Sequence, residues 1–396
     1  SSDKMNNRSC THSRLISIIV SEFTAMLAAF NSQKFRFWSF VSMFLLVFVH
    51  AYNLNISYLQ PWTMPGEPLT VTSFTEYWLA NGIFRFRIPM LFIISGYLFA
   101  LSDHKPYKER TKKRVRTLLY PYLAWSAVGL LLSFVLELFP YSRHVVAETH
   151  MLQIDESRIL LHDYHWYEVL ARWLFFPVSY QLWFIRVLLI YNIAYPALRW
   201  CVLHPVARKV FFSIAVLLWI ATFGFVFFEG EGLLFFSLGI WMQKTGFDID
   251  KPKKWLNPLV WFGIFLFFSV AKTLLAFGAH FPGAEPVLML MHKLVVFSGL
   301  VAAWYGCDAL VRWCMNRKWF VWLSAFSFMI YAIHAPLVVY ASKAIFLAIS
   351  NWYGYRMLTF VLLPLVLILV SVILGAMLRK WVPRFYGFLT GGRGLG

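Results

Sequence analysis

The sequence predicts an all-α fold: a polytopic integral membrane bundle of about ten transmembrane helices, with both termini cytoplasmic. Three observations predict it. Of 396 residues, 60% are hydrophobic and only 14% charged, with 40 Phe and 18 Trp, which is too apolar for a soluble chain of this size. About ten segments approach the roughly 20 mainly apolar residues that a membrane-crossing helix needs. The net charge of +18 sits in short Lys and Arg clusters between those segments, which is the positive-inside pattern and not a basic domain of the kind that binds nucleic acid.

Residues 1–33 are polar and mixed and open with Ser-Ser, so they are expected to be a cytoplasmic tail or an expression remnant. The first span is expected at about 37–54, followed by an outer loop that has no Lys or Arg before Ser73 and carries Glu67. A second span at about 76–100 returns to His104–Arg116, the densest basic run in the chain, and a third covers about 117–139. The long insertion Pro140–His165, in which Arg143 and Arg158 are the cationic Lys and Arg side chains, lies outside by alternation, and an amphipathic piece follows at 166–176. The fourth span, about 178–198, leads to Arg199, Arg208 and Lys209 inside. The fifth and sixth, about 210–227 and 231–243, meet at the acidic turn Phe228–Glu231. The remaining spans are expected near 257–278, 287–311, 320–347 and 357–379, so that 34–380 form one transmembrane domain and 381–396 a second cytoplasmic tail. Cys10, Cys201, Cys307 and Cys314 all fall near cytoplasmic segment ends, and none has the paired Cys/His spacing of a metal site, so neither a disulfide nor a metal is expected.

Ionisable residues inside these spans are the candidates for chemistry, because each costs roughly 2.5–3.5 kcal/mol at mid-helix on insertion scales. His50 lies about 14 residues, or about 21 Å, above the expected start of the first helix, and Arg36 falls within about 40° of the same face. The alternative for Arg36 is an ordinary positive-inside flank. Arg85 and Arg87 lie near the middle of the second span. Positions two apart point about 200° from one another, so both line one cavity only if Pro89 distorts the turn, and the structural alternative is an ion pair with Glu76, Glu137 or Glu168. The fourth span offers Gln181-Leu-Trp183-Phe-Ile-Arg186. In the ninth, Ser327, Tyr331 and His334 share one helix face, with His334 about as deep as His50. Lys272 and Lys293 are isolated cations to which no role is assigned.

Taken in order, these residues resemble the acyltransferase family 3 membrane proteins. The likeness is carried by the helix-one histidine His50; by Arg-x-x-x-Pro-x-x-Phe-x-x-Ser-Gly-Tyr from Arg85 to Tyr97; by Lys-Arg-x-x-x-Leu-x-x-Pro-Tyr from Lys113; by Leu-Trp-Phe-x-Arg ending at Arg186; and by Ser-Phe-x-x-Tyr-x-x-His-x-Pro from Ser327. Two positions depart from the pattern. Ser39 stands eleven residues before His50, where the family commonly has arginine, with Arg36 one turn lower, and Val187 stands where an acidic residue often follows the helix-four arginine. The resemblance implies transfer of an acyl group, usually acetyl, from cytoplasmic acyl coenzyme A to a hydroxyl of an extracytoplasmic or lipid-linked glycan at the cell's inner membrane.

Such a transfer needs a base for the hydroxyl, charge stabilisation for a tetrahedral oxyanion and a place for coenzyme A. His50 is the expected base, with an acyl-histidine intermediate as a variant. Arg85 and Arg186 are expected at the thioester carbonyl or the pyrophosphate, and His334, Tyr331 and Ser327 complete the catalytic set. Arg36, Trp183, Lys112, Lys113, Arg114 and Arg116 are expected to hold the acyl coenzyme A, although the basic run equally suits anchoring to anionic lipid. His50 and His334 are expected to face one cavity floored by Arg85 and Arg186. A transporter or flippase, or a sensor that binds an acyl chain without turnover, are the readings from other classes. Broken helices paired between two halves, the transporter signature, are not evident in the sequence.

Overall fold

A computed structural model describes residues 29–52, 60–278 and 281–395. The expectations for the tail before residue 29, including Cys10, and for 53–59 of the outer loop and 279–280 lie outside the described residues. The described chain is helical apart from a two-stranded hairpin, β1 (Gly224–Phe225) and β2 (Phe228–Glu229). Among the described residues, seven helices are long and apolar enough to cross a membrane: Ala29–Ala51 (α1), Val71–Leu101, Tyr107–Glu137, Pro258–Gly278 (α12), Ala284–Gly306 (α13), Ser327–Ile349 (α16) and Tyr355–Trp381 (α17). A bent pair, α8 (Trp183–Ile193, behind a short turn from Tyr180) and α9 (Tyr195–Leu203), makes an eighth if counted as one span. The expected count of ten differs because α10 (Pro205–Ile220) and α11 (Gly230–Thr245), where the fifth and sixth spans were expected, have 16 residues each, short of the roughly 20 that a straight span needs.

Breaks in these helices shape the molecule. The span Val71–Leu101 consists of α2 (Val71–Asn81), a 3₁₀ turn (Ile83–Phe86) and α3 (Arg87–Leu101). Likewise, Tyr107–Glu137 consists of α4 (Tyr107–Arg114), a π-helical turn and α5 (Tyr120–Glu137). α16 kinks at Ala335, immediately before Pro336, whose ring removes the N–H that would have bonded to Ala332.

Packing is close where side chains vanish. A Cβ on Gly96 of α3 would come within 2.0 Å of the Phe236 carbonyl oxygen of α11, and one on Gly239 within 2.2 Å of the Ile93 carbonyl oxygen, so the two backbones meet through reciprocal glycines. α12 pairs with α13 and α16 with α17 as antiparallel neighbours, and one continuous aromatic-rich core joins the helices. The insertion after α5 folds as α6 (Pro140–Glu148) and the amphipathic α7 (Trp166–Leu174), held by the Glu137 carboxylate. That group accepts the backbone N–H groups of Leu161 at 2.9 Å and His162 at 3.1 Å. Residues beyond 381 fold back as α18 (Pro383–Thr390), where Trp125 Nε1 donates to the Leu389 carbonyl at 2.9 Å and Arg393 donates to the Thr117 carbonyl at 2.8 Å.

Candidate active site

His50 occupies the last turn of α1, while His334 lies early in α16, so the equal 14-residue rise expected for both does not hold. α1 begins at Ala29, below its expected start, and the expected ninth span is split into α15 (Lys318–Ser324) and α16. The two shifts place the rings together all the same: His50 Nδ1 lies 2.8 Å from His334 Nε2, with ring centroids 5.0 Å apart. His334 Nδ1 lies 3.0 Å from the Ile330 carbonyl, which can only accept. For neutral rings this settles both tautomers. His334 donates from Nδ1 and accepts at Nε2, His50 donates from Nδ1, and His50 Nε2 is left as a basic nitrogen with no hydrogen-bond partner among the described residues. The edge of the Tyr180 ring packs against His50 at 4.8 Å.

His50 lines a cavity of about 400 Å³ together with Arg85, Arg87, Gln181, Trp183 and Tyr331. The same cavity is also lined by Gln60 to Trp62, by Thr222, Glu229 and Glu231 at the hairpin, and by His292 and Lys293 of α13. His334 is fully buried and is not among the lining residues; it meets the cavity only through His50, which corrects the expectation that both rings face it. Arg85 and Arg87 both line it, and the distortion that permits this is the 3₁₀ turn after Asn81, not Pro89. The three proposed carboxylate partners are engaged elsewhere: Glu76 by Arg356, Glu137 by His162, and Glu168 by Arg158. Arg85 instead donates to the Ala80 carbonyl at 2.8 Å and to Asn81 Oδ1 at 2.5 Å.

Other expected residues sit apart from the cavity. Arg186 donates to the backbone carbonyls of Val226 (2.8 Å) and Phe175, and to the Tyr122 hydroxyl (3.2 Å), so it ties α8 to the outer hairpin and does not floor the site. Ser327 donates to the Ser324 carbonyl at 2.6 Å at the start of α16. Arg36 pins α1 to α15 through Ser324 Oγ at 2.8 Å and the Val321 carbonyl at 2.6 Å. Of the basic run, Lys112, Lys113 and Arg116 are exposed, whereas the Arg114 guanidinium lies over the Phe99 ring at 5.5 Å.

Tyr331 and Gln181 clamp each other. The Tyr331 hydroxyl donates to the Gln181 carbonyl at 2.7 Å, and Gln181 Nε2 faces the carbonyls of Tyr331, Ala332 and Ala335 at 3.1–3.3 Å. The Ala332 carbonyl is available because residue 336 is proline. Gln181, Arg87, His292, Lys293, Glu229 and Glu231 received no role from the sequence. Lys293 and His292 carried a usable signal, as ionisable groups in the middle of an apolar segment. Lys272 is fully buried, and its Nζ lies 2.7 Å and 2.6 Å from the carbonyls of Pro61 and Asn81, joining the outer loop to the turn that carries Arg85.

A multi-pass helical bundle encloses a cavity lined by a histidine and several cationic side chains. The chain belongs to acyltransferase family 3: the family model, described as an acyltransferase domain, matches residues 40–378, and the protein is a membrane acyltransferase. It is similar to the succinoglycan biosynthesis protein ExoH of Rhizobium meliloti (strain 1021), with 25% identity over 355 residues that cover 88% of this chain and 89% of that one. No solved structure matches it.

Proposed function

We propose that the protein moves an acyl group, acetyl in the simplest case, from cytoplasmic acyl coenzyme A to a hydroxyl of an extracytoplasmic or lipid-linked glycan, in the inner membrane. The observation that supports this reading is the relay from the Ile330 carbonyl through His334 to His50, a residue that lines the cavity and whose Nε2 keeps its lone pair in the neutral ring. His50 takes the proton of the glycan hydroxyl as the oxygen attacks the thioester carbon. Arg85 and Arg87 offset the charge on the tetrahedral oxyanion, and its collapse breaks the C–S bond. The coenzyme A thiolate leaves with the proton, and the glycan keeps the ester. Exposed Lys112, Lys113 and Arg116 offer cations to the phosphates of the donor. A glycan acceptor is supported by the relative whose name places it in succinoglycan biosynthesis.

Acetyl-coenzyme-A consumption by the purified protein, with mass spectrometry of surface glycans from cells with and without it, tests the reading. His50→Ala is expected to lower acyl transfer by about 10²–10⁴-fold while the protein stays folded and inserted. Wild-type turnover by that variant would remove His50 from the base role.

A further inference from the structure

The cavity is lined by two unlike sets of groups. Arg85 and Arg87 suit a carbonyl that gains negative charge, but a polyhydroxyl acceptor needs hydrogen-bond acceptors and flat apolar faces. We infer that Glu229, Glu231 and the side-chain carbonyl of Gln181 form the subsite for the acceptor glycan and receive the sugar's hydroxyls. This rests on the acyl-transfer reading and assigns the acceptor to named groups of the same cavity.

Four observations support it. Glu229 is fixed in place: its carboxylate accepts the N–H groups of Glu231 at 3.0 Å and Gly232 at 2.5 Å, capping α11. Burial, then the neighbouring Glu231, push its carboxyl up to about 7, against the pull of those N–H groups and of Lys293, so near neutral pH it can accept or donate to a hydroxyl. Glu231 Oε2 accepts from Trp219 Nε1 at 2.9 Å, whereas Oε1 accepts from none of the described residues.

The second and independent observation is Gln181. Only 2% exposed, it has its amide nitrogen turned to three backbone carbonyls, and its Oε1 has no hydrogen-bond partner among the described residues. Gln181 lines the same cavity as His50, and a buried carbonyl without a hydrogen-bond partner costs about 1–3 kcal/mol, which a donor supplied by a ligand would relieve. Third, Thr222, also at the cavity lining, holds φ at +53°, a conformation a β-branched residue rarely adopts, and the chain turns there into the hairpin that presents Glu229. Fourth, Trp62 and Trp183 bring indole rings to the same cavity, the flat apolar surface on which a sugar ring's C–H face can rest.

The test uses fragments of the surface polysaccharide from cells lacking the protein, whose acceptor hydroxyls are free, with acetyl coenzyme A as donor and the full-length protein in detergent or nanodiscs. Glu231→Gln on one element and Gln181→Met on another are each expected to raise KM for the fragments about tenfold or more, the scale of one lost hydrogen bond. KM for acetyl coenzyme A should stay within about twofold and kcat within about threefold. A rise in the donor KM instead, an equal fall of kcat with both KM values unchanged, or no change in either variant overturns the subsite. No acetylation of the fragments by the wild-type protein overturns the acyl-transfer reading itself.

Discussion

At the scale of single residues, His334 is fully buried behind His50, and we propose that it acts on the reaction through that ring. Its imidazole accepts from His50 Nδ1 and is held by the Ile330 carbonyl, the arrangement in which a second group orients a base and fixes its tautomer. His334→Ala is therefore expected to lower kcat about 10²-fold with little change in either KM. His334→Gln, whose side-chain oxygen can take the proton of His50 Nδ1, should recover part of it. Steady-state kinetics on protein that elutes as a single folded species decide this, and a variant that loses stability but keeps kcat would reduce His334 to packing. His50 and His334 were both legible in the sequence, because a histidine within an apolar span is expensive enough to stand out. Gln181 was not, since one amide beside a tryptophan gains meaning only when the proline of a distant helix frees a carbonyl for it.

At the scale of elements, helix breaks decide which charges meet. A continuous helix would have sent Arg85 and Arg87 to opposite faces, and the 3₁₀ turn between α2 and α3 brings both to one cavity. α4 shows a similar sorting. Arg110 is engaged by Asp103 at 2.9 Å and Arg114 lies over Phe99, while Lys112, Lys113 and, in the π-helical turn that follows, Arg116 remain free to meet a soluble polyanion. Neutralising those three together is expected to raise KM for acetyl coenzyme A about tenfold while kcat changes little, because the phosphates lie remote from the reacting carbon. Unchanged kinetics with intact topology would leave the run as an anchor against anionic lipid.

At the scale of the whole molecule, the outer loop is fastened across the chain by Arg356 of α17. It donates to Glu67 at 2.5 and 3.1 Å and to Glu76 of α2 at 3.0 Å. Arg356→Met would leave Glu76, only 1% exposed, as an uncompensated carboxylate. Removing one partner of a buried pair costs about 3–5 kcal/mol, and the lower end is expected here because Arg356 and Glu67 keep some solvent contact. A lowered Tm in detergent checks this, with Glu67→Gln expected to cost less; an unchanged Tm for Arg356→Met would show that the fastening contributes nothing to the fold. The same loop supplies Gln60 to Trp62 to the cavity, so loosening it should also raise KM for the acceptor.

By itself the sequence determined the membrane-bundle class and the family, because hydrophobic length and ordered short motifs are local properties that need no partner to be read. It also marked His50, Arg85, Trp183, Tyr331 and His334, all of which meet in or directly behind one cavity. Only the tertiary structure decided that Arg186, Arg36 and Ser327 are bound to nearby carbonyl and hydroxyl groups away from it, that His334 stands behind His50, and that Glu229, Glu231, His292 and Lys293 complete its walls. The physical reason is that a polar group in an apolar helix must find a partner, but whether that partner is a substrate or a carbonyl left free by a break in another helix depends on contacts between segments far apart in the chain.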